Sequence, residues 1–146
     1  MSLAMRGSGF FVLIAVLAVG GIGVSSLSLY HHYGTSKTNY CDFGENFNCD
    51  IVNRSTYSTV LGVPDALIGI LGYGAMLALA TLYRTKAETP IMLLIGSVAG
   101  LAFALYLTYI EAFVLATWCI LCLSSLTLIF LITVLSSWLT VRMRRA

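Results

Sequence analysis

The chain has 146 residues, of which 59% are hydrophobic and only 10% are charged. An ordinary soluble domain is about 25% charged, and a soluble protein this small would lack the polar surface to cover itself. These figures exclude most soluble enzymes, disordered chains and nucleic-acid binders, and a formal net charge of +2 is too small to imply a polyanionic partner.

Four stretches are long and apolar enough to cross a bilayer as helices, each satisfying its own backbone hydrogen bonds. The first runs over about 9–29 and carries no charge. Arg6 before it fits either a signal peptide or an anchor. The apolar run is long for a signal core, and no small-x-small cleavage site follows it, so retention as an anchor is expected. The second helix is expected over about 63–83, with Asp65 near its start. The polar segment from Arg84 to Pro90 then makes a turn, and Pro90 suits a helix start. The third helix is expected over about 91–112, with Glu111 at its end, and the fourth over about 117–141. The link between these two, Ala112 to Ala116, is so short that they should form a tight antiparallel hairpin. The fold expected is an all-α membrane bundle in one domain, capped by the one sizeable polar segment, about 30–62.

Six of the eight basic residues, Arg6, Arg84, Lys86, Arg142, Arg144 and Arg145, fall on one side of this arrangement. Cytoplasmic segments are the ones rich in Lys and Arg. Both termini are therefore expected in the cytoplasm, and the 30–62 loop outside. Cys41 and Cys49 lie in that loop, while Cys119 and Cys122 open the fourth helix. All four cysteines are thus expected on the oxidising side, where disulfides persist.

Cys119 and Cys122 form a C-x-x-C, and residues three apart share a helical face. Thr117 is a plausible N-cap. The first turn of a helix favours a thiolate, which is the attacking species in disulfide exchange. Two structural disulfides are the alternative, and four cysteines allow three pairings. A C-x-x-C heading a lipid-embedded helix holds together little that the helix does not hold already, which favours redox-active pairs. A zinc site from His31, His32, Cys41 and Cys49 matches no standard spacing, so no metal is expected. Asp65 and Glu111 are ionisable groups near the outer face and candidates for a site role. Trp118 would either wall a pocket or sit at the interface, where tryptophan is common. Trp138 and the loop tyrosines are expected at interfaces.

Four helices, a C-x7-C after the first and a C-x-x-C opening the last resemble the vitamin K epoxide reductase family. The stretches that carry the likeness are Cys41 to Cys49, Ser55, Gly62-Val63-Pro64 with Gly69, Tyr109-Ile110-Glu111, and Trp118 to Cys122. The resemblance implies a relay. A separate thioredoxin-fold protein outside the membrane exchanges with Cys41, Cys49 passes electrons to Cys119, and Cys122 faces a quinone of the ubiquinone, menaquinone or vitamin K type. Ser55 would help keep the loop and redox centre organised. Vertebrate members carry a tyrosine where this chain has Leu126, and an asparagine where it has Asp65. Both hydrogen-bond the vitamin in that branch, so a generic quinone is expected here rather than vitamin K epoxide, with Leu126 as an apolar wall. The short form, without a fused thioredoxin-like domain, and these departures point to a prokaryotic source and the inner membrane. In a eukaryote the membrane would be that of the endoplasmic reticulum.

Overall fold

A computed structural model describes residues 3–33, 59–60, 62–83, 86–114 and 120–145. In chain order these form α1 (Leu3–Tyr33), β1 (Thr59–Val60), β2 (Val63–Pro64), α2 (Asp65–Thr81), α3 (Thr89–Phe113) and α4 (Ile120–Arg144). Within α1 (over Gly9–Tyr30), and over the whole of α3 and α4, the helices are long and apolar enough to cross a membrane, and α2 is a shorter apolar helix of 17 residues. The all-helical membrane bundle expected from hydropathy is present. Most of the segment expected to cap it, with Cys41, Cys49 and Ser55, lies outside the described residues, as do Thr117, Trp118 and Cys119.

The second helix is shorter than hydropathy indicates, 65–81 rather than about 63–83. Pro64 explains its start. Its φ of −59° and ψ of 138° place it outside the helix as the N-cap, and its ring disfavours a helical conformation for Val63 before it. Val63 and Pro64 instead pair antiparallel with Thr59 and Val60, with Val60 opposite Val63. Gly62, at φ 82°, supplies the left-handed residue in the turn between them. Asp65 then occupies the first turn of α2, where a carboxylate meets the positive end of the helix dipole. At the other end the Thr89 hydroxyl donates to the carbonyl of Tyr83, and the amide of Lys86 bonds the same oxygen at 3.0 Å. This polar turn leads into α3 with Pro90 in its first turn, as the sequence predicts. The first helix overruns its expected end by four residues, through His31 and His32 to Tyr33.

Helix α1 packs on α2 and on α4, α4 packs on α3, and among the neighbouring helix pairs the α2–α3 contact is the smallest. The core runs through Ile14 and Ala18 of α1, Tyr73 and Met76 of α2, Leu93 of α3 and Ile132 of α4, all buried. Lipid gives helices no hydrophobic reason to associate, so close backbone approach carries the packing. Gly21 shows this directly, because a Cβ there would overlap the ring of Tyr73. At Gly69 a Cβ would sit 2.6 Å from Ser25 Oγ, so α1 and α2 meet through bare backbone on both sides. At the far end the Arg142 guanidinium lies 5.9 Å from the centre of the Phe10 ring, a cation–π contact between α4 and α1. Trp138, on the exposed face of α4, suits an interfacial anchor.

Replacing Gly21 with Val should cost roughly 1–3 kcal/mol, the usual range for overpacking. A clear fall in the thermal midpoint of the detergent-solubilised protein would register this, and an unchanged midpoint would contradict the Gly21–Tyr73 contact.

Candidate functional site

Where α2 and α3 part, a cavity of about 410 Å³ runs along the bundle, backed by α1 and α4. It follows α2 from Asp65 to Leu79 and α3 from Met92 to Leu107, about 20 Å at 1.5 Å per residue. Its α2–α3 walls are small or flat, with Gly72 and Ala75 on one side and Gly96, Ala99 and Phe103 on the other. Polar groups gather toward one end: Ser25 and Ser28 from α1, Asp65 and Tyr73 from α2, and Cys122 and Ser125 from α4. A mostly apolar slot with a few convergent polar groups is the usual form of a small-molecule site.

Cys122 is the third residue of α4 and partly exposed. It is the one predicted catalytic cysteine among the described residues, and it lies on the cavity wall. Asp65 lies there too. The structure therefore brings together Cys122 and Asp65, which are 57 positions apart in sequence.

Two other predicted residues sit elsewhere. Glu111 is buried to 1% exposure two residues before the end of α3, but it is not on the cavity wall. Leu126 is half-buried and also absent from the wall, where its neighbour Ser125 stands instead. At about 100° per residue, the α4 lining residues Leu121, Cys122, Ser125 and Ile129 share one arc of the helix, and Leu126 lies about 40° beyond its Cys122 edge.

Sequence reasoning missed Tyr73. Its side chain is 4% exposed and lines the cavity. Its hydroxyl donates to the backbone oxygen of Ser125 at 2.9 Å and lies 2.9 Å from Ser125 Oγ. Two signals were available: a tyrosine in the middle of an apolar span needs a polar partner, and Gly69, Gly72 and Tyr73 are spaced along α2 toward the cavity.

The profile of the vitamin K epoxide reductase family matches residues 12–137. The chain belongs to that family. Membership in the vitamin K epoxide reductase family makes it an oxidoreductase, and its apolar helices make it an integral membrane protein. The match spans all four helices and takes in every predicted site residue.

An apolar route to Cys122 has a measurable consequence. In a protein whose only cysteine is Cys122, an apolar maleimide should label it faster than a sulfonated one. Gly72→Phe should slow the apolar reagent without lowering the melting point, because nothing lies within 4 Å of a Cβ at Gly72. Equal labelling by both reagents would mean that Cys122 is reached from water.

Proposed function

We propose that the protein oxidises a separate thioredoxin-fold partner outside the membrane and reduces a quinone within it, supporting disulfide formation. The reaction balances simply. The partner's two thiols surrender two electrons and two protons and close a disulfide, and the quinone takes two of each to become a quinol. The observation that carries this reading is the position of Cys122, in the first turn of α4 and on the wall of an apolar slot. The slot is about 410 Å³, within the range of small-molecule pockets, and its few polar groups stand at the end where Cys122 lies.

In the relay, the partner's thiolate attacks the Cys41–Cys49 disulfide. Cys49, once reduced, attacks the Cys119–Cys122 disulfide at Cys119, and Cys41 then attacks Cys49 to release Cys119 and reclose the loop disulfide. The thiolate left on Cys122 faces the quinone, and the pair closes again as the quinone is reduced. Each exchange needs a thiolate, and Cys122 stands in the first turn of α4. Ser55 helps order the loop that carries the first pair, and the whole chain acts as one membrane domain. No metal enters the scheme.

The orientation follows from charge. Lys86, Arg142, Arg144 and Arg145 stand at the helix ends away from Cys122; on α4 the separation from Cys122 to Arg142 is 20 residues, about 30 Å along the axis. Positive residues stay in the cytoplasm, which puts the cysteines outside, facing the periplasm of a bacterium or the lumen of the endoplasmic reticulum. A protein with merely structural disulfides would have no reason to place Cys122 on a ligand-sized slot. Vitamin K epoxide is the less favoured substrate, because the position of the vertebrate tyrosine is Leu126, which does not line the slot.

Cys122→Ala should abolish quinone reduction in a protein that still folds, measured as loss of quinone absorbance with the purified protein and vitamin K epoxide as a competitor. Full activity in that variant would sink the assignment. Cys41→Ser should block electron entry from a thioredoxin-fold donor but spare a small dithiol; equal loss with both donors would argue against a relay.

A further inference from the structure

We propose that Tyr73 and Ser125 form a two-hydroxyl anchor for the oxygen of the electron acceptor, with Ser125 touching it and Tyr73 acting through Ser125. The proposal rests on the quinone-reducing reading above and names the group that holds the substrate there.

Ser125 lies three residues after Cys122, so the two share a face of α4 and stand about 4.5 Å apart along its axis. Both line the cavity. A quinone ring set against the sulfur would bring one of its oxygens into the range of the hydroxyl. In an apolar slot that oxygen needs a hydrogen-bond partner, and the partner must serve two chemical forms. A quinone oxygen only accepts hydrogen bonds, whereas a quinol oxygen also donates one.

The pair can serve both. Tyr73 Oη lies 2.9 Å from the Ser125 carbonyl and 2.9 Å from Ser125 Oγ, and in the second contact either hydroxyl can donate. When Tyr73 donates to the carbonyl, Ser125 donates to Tyr73, and the lone pairs of Oγ are left for a quinol O–H. When Tyr73 donates to Oγ, the Ser125 O–H turns toward the slot and donates to a quinone oxygen. Only hydroxyl rotation separates the two arrangements, and no proton leaves the pair. The protons that make the quinol come from the thiols.

The phenol is held for this task. It is buried, its ring lies against the backbone of Gly21 on α1, and its hydroxyl reaches α4. Tyr73 is therefore a positioning residue that fixes the Ser125 hydroxyl in direction.

The test uses the full-length protein in detergent with a decyl-tailed benzoquinone as acceptor and dithiothreitol as donor. Ser125→Ala and Tyr73→Phe should each raise KM for the quinone about five-fold, the size of one neutral hydrogen bond. The value of kcat, the melting point and the alkylation rate of Cys122 should hold. Ser125→Thr, which keeps the hydroxyl, should restore KM. The double variant should be no worse than Ser125→Ala, because the two residues act as one chain. If Tyr73→Phe melts too low to assay, Ser125→Ala against Ser125→Thr decides alone. Quinone reduction with an unaltered KM in Ser125→Ala sinks the anchor and leaves the function standing. Wild-type protein that leaves the quinone unreduced sinks both.

Discussion

The ring of Tyr73 rests on a backbone with no side chain, at Gly21, and much of the bundle follows from that contact. Helices in lipid gain nothing by hiding apolar faces from each other, so they join where small residues let backbones approach and where polar groups bond across the gap. Gly21 and Gly69 draw α1 and α2 together. The Tyr73 hydroxyl carries the same contact onward to α4. With α1 committed to α2 and α4, and α4 to α3, the ring of helices closes weakly between α2 and α3. The cavity is what remains at that closure.

The helices were legible in the sequence because a bilayer asks for little more than apolar length. Their ends were less so. Pro64 belongs to the apolar run that starts the second helix, yet it stands outside the helix with an extended backbone, because Val63 and Pro64 pair with Val60 and Thr59. A hydropathy window counts Pro64 as permissible and cannot register a two-residue strand. The short turn before α3 was read well because Thr89, Pro90 and the charged residues around them are local signals, and local signals survive in a linear reading.

The site divides the same way. Cys122 was found from a four-residue motif. Asp65 stands out as a charge in an apolar run, and it lines the cavity. Tyr73 was passed over because one tyrosine among eight carries no mark; only the fold reveals that its hydroxyl meets Ser125. Leu126 was chosen by alignment with a position that binds ligand elsewhere, but the slot here takes its α4 wall from Leu121, Cys122, Ser125 and Ile129. At about 100° per residue those positions span an arc of about 100° on the helix, and Leu126 lies about 40° beyond its Cys122 edge. Glu111 is buried as a functional carboxyl would be, away from the slot, against the end of α3.

The brevity of α2 bears on the lipid as well as on the fold. Seventeen residues give a cylinder of about 26 Å, against a hydrocarbon layer of about 30 Å. A helix with this shortfall has no length to spare for tilting, and the bilayer can thin beside it to match. The short antiparallel pairing of Val60 with Val63 sits at the end of that short cylinder. Mismatch costs only fractions of a kcal/mol per Å, but it falls on one wall of the cavity and spares the other three helices. Bilayer thickness therefore bears on α2 more than on the three longer helices.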